Sequence, residues 1–213
     1  MLTNYIKVAL RSIFRNKLTA FINITGLALA LLCATLIYIY VDDEFKYDRY
    51  NSKADRIYRI TRNFLSPDGS VNLHLGHVSP PFGPLLKNDF GDFEEVARTL
   101  QSLSLVAYRT ASEEVKSFNE ERLFYAEPAL LKIFDFQISE GNPEKVLQDP
   151  FTVMLSHATA KKYFGEEPAV GKVLRLGNNY DVLVTALFED LPGQSHWHPE
   201  ILVSFATLND TTI

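Results

Sequence analysis

The longest apolar stretch of the chain runs from Phe21 to Val41 and contains no charged residue. As a helix with about 1.5 Å of rise per residue, it is roughly 31 Å long, which matches a bilayer hydrocarbon core of about 30 Å. A helix pairs its backbone N–H and C=O groups within one segment, as a lipid environment requires. The pattern therefore predicts a transmembrane helix over residues 21–41.

Two other interpretations of this stretch are weaker. Buried helices of soluble proteins rarely run beyond about 14 residues without a charge. A cleaved signal peptide has an apolar region of about 7–15 residues followed by small side chains, whereas this run is longer and ends in bulky Tyr38, Tyr40 and Val41. Leu32 precedes Cys33 where a lipoprotein signal has a small residue. We therefore interpret Cys33 as a packing residue in the membrane.

The charges on the two sides of the stretch differ in sign. Residues 1–20 contain four basic residues and no acidic one, whereas Asp42, Asp43 and Glu44 follow the stretch directly. Cytoplasmic flanks of membrane helices are enriched in Lys and Arg, so we predict a cytoplasmic N-terminus and an extracytoplasmic remainder. The net charge is −5, divided into +4 for residues 1–41 and −9 for the rest. An acidic exterior argues against nucleic acid as a partner.

A basic amphipathic helix is predicted before the apolar stretch. Between residues 4 and 18, apolar positions such as Ile6, Ile13 and Phe14 recur at helical spacing opposite a basic stripe. Such a helix can bury its apolar face in the headgroup region while its cations meet anionic lipid. We predict a cytoplasmic elbow helix over residues 1–20 with membrane lipid as its partner; the alternative is an earlier start of the span with snorkelling charges. The cations of this elbow are Lys7, Arg11, Arg15 and Lys17.

Small side chains recur every four residues within the apolar stretch, at Gly26, Ala30 and Ala34. This spacing places them on one face of a helix. Lipid provides no hydrophobic drive for helix association, so small residues that allow close approach favour contact with a second helix. We predict that this face packs against a partner helix.

Beyond residue 42 the pattern is one of short strands and separated helices. Ser156 and Gly165 are typical of the start and end of a helix, and a Gly-Asn-Asn turn at 177–179 is typical of a hairpin. Strands mixed with separated helices predict an α+β fold. The predicted strands cover 56–64, 71–75, 95–108, 115–125, 152–155, 173–176 and 180–188, and the predicted helices 80–88, 128–134 and 157–164.

The stretch from Gly165 to Val173 superficially resembles a phosphate-binding loop. Five residues separate Gly165 from Gly171 where that motif has four, and Val173 follows Lys172 where the motif has Ser or Thr. The stretch also follows a predicted helix and precedes a strand, the reverse of the order that points a helix N-terminus at phosphate. We predict no nucleotide binding by this chain.

Two pairs of histidines are close in sequence, His74 with His77 and His196 with His198. Residues two apart on a strand share a face, but the second pair has neither a nearby Cys nor paired carboxylates to complete a metal ligand set. The sequence also lacks the G-x-S-x-G elbow of a nucleophilic serine. We therefore predict a non-enzymatic protein without cofactor or metal.

Three segments resemble the start of a MacB-like, FtsX-family ABC transporter permease. They are LRSIFRNKLTAFINITGLALALL, ADRIYRI, and SHATAKKYFGEEPAVGKVLRLGNNYDVLVTALFEDLPGQSH. They occur in the expected order and the likeness covers nearly the whole chain. The part from Thr159 to Asp190, with its Tyr-Phe-Gly and Gly-Lys steps, is the most specific.

The resemblance implies an inner-membrane permease subunit with a MacB-like periplasmic core domain over residues 42–213. It implies that a separate cytoplasmic ATP-binding subunit hydrolyses ATP and that the periplasmic domain moves with this ATP cycle. The helix-packing face would then meet a second copy of the chain or other permease helices. Such permeases have further spans, so we expect this sequence to be an N-terminal part of one. The alternative is a single-pass, membrane-anchored extracytoplasmic sensor or ligand-binding module.

Overall fold

The computed structural model describes residues 2–110 and 112–210. Contacts between residues divide the chain into two units, residues 1–47 and residues 48–213. The described part of the first unit is helical, and every strand of the described chain lies in the second unit.

The first unit consists of two helices separated by a bend. Helix α1 spans Leu2–Arg15 and helix α2 spans Lys17–Glu44. Asn16 interrupts the helical path because its φ and ψ are −109° and 58°, although its N–H still donates to the carbonyl oxygen of Ser12 at 3.0 Å. The 28 residues of α2 correspond to a length of about 42 Å. The predicted span, residues 21–41, lies wholly within α2.

Helix α2 has no buried residue in the described structure. Its apolar side chains point outward all round, with Phe21, Leu29 and Ile37 each about 60% exposed or more. A core helix of a soluble protein buries one face, so this exposure argues against the core-helix interpretation. Within the described residues α2 is the one helix long and apolar enough to cross a membrane.

The second unit begins with a short 3-10 turn and a hairpin. The turn spans Ala54–Arg56, and strands β1, Arg62–Leu65, and β2, Val71–Leu75, pair antiparallel. The predicted strand over 56–64 is therefore wrong for residues 56–61. Arg56 belongs to the turn, and residues 57–61 pair with no strand in the described structure. Intrinsic β-propensity forms a strand only where a partner strand is available.

Seven further strands form the main sheet. Their order is β5-β8-β6-β9-β4-β3-β7, and β7 also pairs with β8. This second pairing closes β8, β6, β9, β4, β3 and β7 into a ring of strands. The seven strands are β3 Thr99–Arg109, β4 Val115–Ala126, β5 Ile138–Gly141, β6 Thr152–Ser156, β7 Val173–Leu176, β8 Tyr180–Phe188 and β9 Ile201–Ser204.

Three short α-helices connect the strands, α3 Phe82–Asp89, α4 Leu130–Ile133 and α5 His157–Phe164, and a second 3-10 turn, Phe205–Asn209, follows β9. The helix predicted over 80–88 begins two residues later than expected, after Pro81 and without a side-chain cap. The helix predicted over 128–134 is a single turn. The start and end of α5 are confirmed: the Ser156 hydroxyl accepts from the N–H of Thr159 at 3.2 Å, and Gly165 ends the helix with φ of 67°.

The core lies on both faces of the main sheet because side chains alternate along each strand. On β6, for example, Val153 and Leu155 belong to one buried cluster and Met154 to the other. The first cluster includes Tyr163 and Phe164 of α5. The second cluster is lined by aromatic side chains from loops, including Trp197. The mixture of parallel and antiparallel pairs with separate helices confirms the predicted α+β class.

The strands β5 and β9 are not predicted from the sequence. β9 lies between β4 and β6, parallel to the first and antiparallel to the second, and all four of its residues are buried. A short run that is apolar on both faces lacks the alternation that marks a half-buried strand. Its position in the centre of the sheet is decided by the strands that surround it.

Candidate functional site

Helix α1 presents basic and apolar side chains on different faces. Lys7, Arg11 and Arg15 are four residues apart and exposed, and Lys17, the first residue of α2, is exposed as well. The apolar Ile6 and Ile13, on the opposite face, are 54% and 42% exposed. This arrangement is typical of a helix that lies in a membrane surface. The role of these cations as contacts to lipid headgroups stays a prediction.

Gly26, Ala30 and Ala34 lie in the middle of α2 and are all exposed. A Cβ added at Gly26 would meet no atom within 4 Å. In the described structure, therefore, this face is open to a partner helix. That such a helix binds there stays a prediction.

The polypeptide enters the second unit through residues 48–53, which we call the neck. Asp48 opens the neck in a left-handed conformation, with φ of 59°. Asp and Asn adopt this conformation more readily than other side-chain-bearing residues, because their short polar groups bond locally. Here the Asp48 carbonyl oxygen accepts from the N–H and the side-chain amide of Asn51, both at 3.3 Å. The neck is thus a compact turn.

Asp48 binds the loop at residues 194–196 with both its backbone and its carboxylate. Its N–H donates to the carbonyl oxygen of Gln194 at 2.9 Å. Its Oδ1 accepts from the N–H of His196 at 3.0 Å and from the hydroxyl of Ser195 at 3.3 Å, and its Oδ2 lies 2.8 Å from Nδ1 of His196. Burial raises the pKa of the Asp48 carboxyl, but the hydrogen bonds from His196 and Ser195 outweigh it and hold that pKa below its usual value.

The rest of the neck binds a second segment, at residues 132–135. The buried side chain of Asn51 accepts from the N–H of Asp135 at 3.1 Å. In return, Oδ2 of Asp135 accepts from the N–H of Ser52 at 2.5 Å, and this bond lowers the pKa of the Asp135 carboxyl. Nζ of Lys53 donates to the carbonyl oxygen of Lys132 at 2.8 Å. The neck is therefore held from two sides.

Both segments that hold the neck adjoin one aromatic cluster centred on Trp197. The Ser195 hydroxyl donates to the carbonyl oxygen of Trp197 at 2.8 Å. The indole ring lies 5.3 Å from the rings of Phe124 and Phe134, and 6.1 Å from that of Phe136. Because Phe124 belongs to β4, the cluster joins the two anchoring segments to the main sheet.

Ser195, His196 and Asp48 are the residue types of a nucleophilic triad, but their geometry is different. In a triad the serine hydroxyl bonds to the histidine and the acid bonds to the other ring nitrogen. Here the Ser195 hydroxyl bonds to Asp48, Trp197 and Tyr50, and Ser195 is buried. The arrangement fixes a loop and has no activated nucleophile.

The candidate metal-binding histidines do not converge. His74 bonds to Asn63 across the β1–β2 hairpin, and His196 bonds to Asp48. No group of three or more His, Cys, Asp or Glu side chains that could hold a metal ion occurs in residues 2–110 and 112–210.

The glycine-flanked stretch before β7 has its polar groups engaged internally. The N–H of Gly171 donates to Val184, and the N–H of Lys172 donates to Ala169. Nζ of Lys172 pairs with Glu167 and lies 5.1 Å from the ring centre of Phe164. These contacts use the donors that a phosphate-binding loop would present to a ligand.

A buried carboxylate joins α5 to β4. Glu120 is 5% exposed, and its Oε1 accepts from the hydroxyl of Tyr163 at 2.6 Å and from Nζ of Lys162 at 2.7 Å. Burial, together with the bond to Glu120, raises the pKa of Tyr163 well above its usual value. No buried side-chain nitrogen or oxygen of these three residues lacks a partner, so the cluster stabilises the packing of α5 on the sheet.

Comparison with known proteins identifies the class. The profile described as MacB-like periplasmic core domain matches residues 20–213. A domain of a protein described as a permease from Porphyromonas gingivalis superposes with a TM-score of 0.54 at 23% identity, covering 65% of this chain and 59% of that one. The periplasmic region of MacB from Actinobacillus actinomycetemcomitans gives a TM-score of 0.51 at 16% identity, covering 72% of this chain and 67% of that one. A search of curated proteins finds no match.

The chain therefore belongs to the family of MacB-like periplasmic core domains, the periplasmic domain of ABC-type transporter permeases. The resemblance inferred from the sequence is confirmed. The chain spans less than two thirds of the length of the Porphyromonas structure.

The sequence did not single out the neck. Its partners lie 84 residues away at Asp135 and 148 residues away at His196. The one local signal is Asp48 itself, a short acidic side chain in a turn, and turn residues of this type are common. Only the folded chain shows what the carboxylate binds.

Proposed function

We propose that this chain is a membrane-embedded part of an ABC-type permease, without catalytic activity of its own, that couples a separate cytoplasmic ATP-binding subunit to the periplasmic domain. The observation that carries the proposal is an apolar helix of 28 residues with none buried, most of which lies within the MacB-like match over residues 20–213. An exporter or a mechanotransmission complex fits this arrangement equally well.

The proposed orientation places residues 1–20 in the cytoplasm of a bacterial cell and residues 42–213 in the periplasm, with residues 21–41 across the inner membrane. The charge asymmetry supports it, since four basic residues precede the span and three acidic residues follow it. The bend at Asn16 supports the elbow, because it allows α1 to leave the axis of α2 and to lie along the headgroups.

Orientation is tested by cysteine labelling with a membrane-impermeant maleimide in cells whose outer membrane is permeabilised. Cys33 is the only cysteine, so Cys33→Ala provides a clean background. Glu166→Cys, at a side chain that is 86% exposed, is expected to react while the inner membrane is intact, and Asn4→Cys only after the inner membrane is disrupted. The reverse pattern would contradict the proposed orientation.

Coupling is tested by affinity purification of the full-length permease from native membranes. A cytoplasmic ATP-binding protein that co-purifies, and whose ATPase rate changes when the permease is present, supports the proposal. Recovery of the permease alone, with a small molecule bound to its periplasmic domain, would support the sensor or ligand-binding alternative instead.

The proposed helix-packing face has a matched control within α2. Ala30→Leu adds the same bulk as Ala28→Leu, but Ala28 lies about 200° around the helix from Gly26. If the strip of Gly26, Ala30 and Ala34 packs against another helix, Ala30→Leu is expected to weaken that association while Ala28→Leu leaves it unchanged. Equal effects of the two substitutions would exclude this face.

A further inference from the structure

The neck bonds to two segments that are remote in sequence. Asp48 reaches the loop that contains Ser195 and His196, and Asn51 reaches Asp135. These contacts include a buried amide and a carboxylate with three donors at 2.8–3.3 Å. Hydrogen bonds to a charged acceptor are stronger than neutral ones and define direction as well as distance.

The two anchors are not independent of each other. Ser195 bonds to the backbone of Trp197 at 2.8 Å, and the residue next to Asp135, Phe134, stacks on the Trp197 ring at 5.3 Å. The same ring contacts Phe124 of β4. A rigid path therefore leads from the neck to the central strands, made of hydrogen bonds followed by close-packed rings.

From this path we infer that Asp48 and Asn51, with Ser195, His196 and Asp135, form a neck clamp that passes displacements of the polypeptide at residue 48 to the Trp197 cluster and the main sheet. The inference rests on the proposed function, which supplies the displacement through the membrane helix. Packed interiors move as units rather than deform, so an intact clamp moves the sheet with the neck. A broken clamp leaves the neck free to move alone.

Asp68 provides a matched control for Asp48. Its Oδ1 also accepts from a backbone N–H, at 3.0 Å, and from a serine hydroxyl, at 2.7 Å. Both donors belong to Ser70 in the same exposed turn, whereas those of Asp48 lie across the fold. Asp48→Asn and Asp68→Asn therefore make the same chemical change at a long-range and at a local contact.

The first measurement uses the full chain in lipid nanodiscs without any partner. Asp48→Asn is expected to raise amide hydrogen exchange at residues 194–197 by about tenfold, because this loop loses its charged acceptor, and at residues 134–136 because Phe134 packs on Trp197. Trp197 is the only tryptophan, so its emission is expected to shift and its quenching by iodide to increase. Asp68→Asn is expected to change neither. Faster exchange limited to residues 45–50 would overturn the clamp.

The second measurement adds the co-purified ATP-binding subunit and compares nucleotide-free with vanadate-trapped complexes. Wild type is expected to change its exchange at 194–197 on trapping, and Asp48→Asn to lose that change. If Asp48→Asn responds as wild type does, the clamp is overturned and the proposed function stands. If wild type does not respond at all, both are overturned. If Asp48→Asn fails to fold, His196→Ala, which leaves the backbone contacts of the neck in place, tests the same link.

Discussion

The cluster of Glu120, Tyr163 and Lys162 gives the sharpest stability prediction. Tyr163→Phe removes one hydroxyl and leaves the ring in its buried place. That hydroxyl donates to Oε1 of Glu120 at 2.6 Å and also lies 3.3 Å from the carbonyl oxygen of Val106. The ring itself is fully buried, so the vacated space is small and the effect measures the loss of the bonds.

The loss of stability caused by Tyr163→Phe depends on which hydrogen-bond partners the Glu120 carboxylate keeps. A hydrogen bond to a charged group contributes about 1.5–3 kcal/mol. Lys162 still lies 2.7 Å from Glu120, so the buried charge keeps one partner, and we expect a loss of about 2 kcal/mol. Lys162→Met removes the other partner, and although the Glu120 side chain is only 6% exposed, that of Lys162 is 37% exposed. Water can therefore replace the ammonium on the outer side of the carboxylate, and we expect a loss of about 1 kcal/mol, at the upper end of the range for exposed pairs. Tyr163→Phe is therefore expected to cost more than Lys162→Met.

The assay is thermal or urea unfolding of the chain in detergent, followed by Trp197 emission. A domain of this size loses about 2–4 °C of Tm per kcal/mol, so Tyr163→Phe is expected to lower Tm by about 4–8 °C. Tyr58→Phe is the control, since Tyr58 is 76% exposed and its change is expected to stay within about 0.5 kcal/mol. A larger loss from Lys162→Met than from Tyr163→Phe would show that the ion pair, and not the buried hydroxyl, holds Glu120.

Three further predictions use the same unfolding and emission assays. Gly141→Ala is expected to lower the free energy of unfolding by at least about 1 kcal/mol, because Gly141 has φ of 101° and a Cβ there would collide with the Thr185 carbonyl oxygen. Gly91→Ala is the control, since Gly91 has open space around it. Equal Tm values for the two variants would refute the clash. The pKa of Asp48 is lowered in the folded chain, so its carboxylate stabilises the fold above the unfolded pKa of about 3.9. This stabilisation is lost as the pH falls through the folded pKa. An acid-induced change in Trp197 emission should therefore occur below about pH 4 and be absent in Asp48→Asn. Burial, with the bond to another tyrosine, raises the pKa of Tyr180. The contribution of Tyr180 to stability is therefore constant below the unfolded pKa of about 10 and declines above it. At about pH 11, fewer tyrosinates should absorb in the folded than in the unfolded chain, and Tyr180→Phe should reduce that difference.

Local signals predicted the elements whose cause is local. Helix α2 follows from an uninterrupted apolar run, and α5 follows from a serine cap at its start and a glycine at its end. The β7–β8 hairpin is confirmed, with Leu176 opposite Tyr180, because Gly177 and Asn178 adopt the positive φ that its turn requires. In each case the responsible residues lie within a few positions of one another.

Predictions failed where a partner distant in sequence decides the outcome. The segment at 57–61 has strand-forming residues but no strand beside it. β9 becomes a central strand only because β4 and β6 leave a place between them. The same reason explains the neck. Asp48 is one acidic residue among several after α2, and its long-range partners come from residues 194–196, while Asn51 binds Asp135.

The sequence by itself therefore determined an apolar helix long enough to cross a membrane, the basic helix α1 before it, the α+β class and the family, since these depend on composition, spacing and local motifs. Tertiary structure alone decided the closure of six strands into a ring, the burial of Glu120 between β4 and α5, and the attachment of the neck to the Trp197 cluster. The physical reason is that burial and hydrogen bonding between remote segments depend on which surfaces meet, and that is settled only when the whole chain packs.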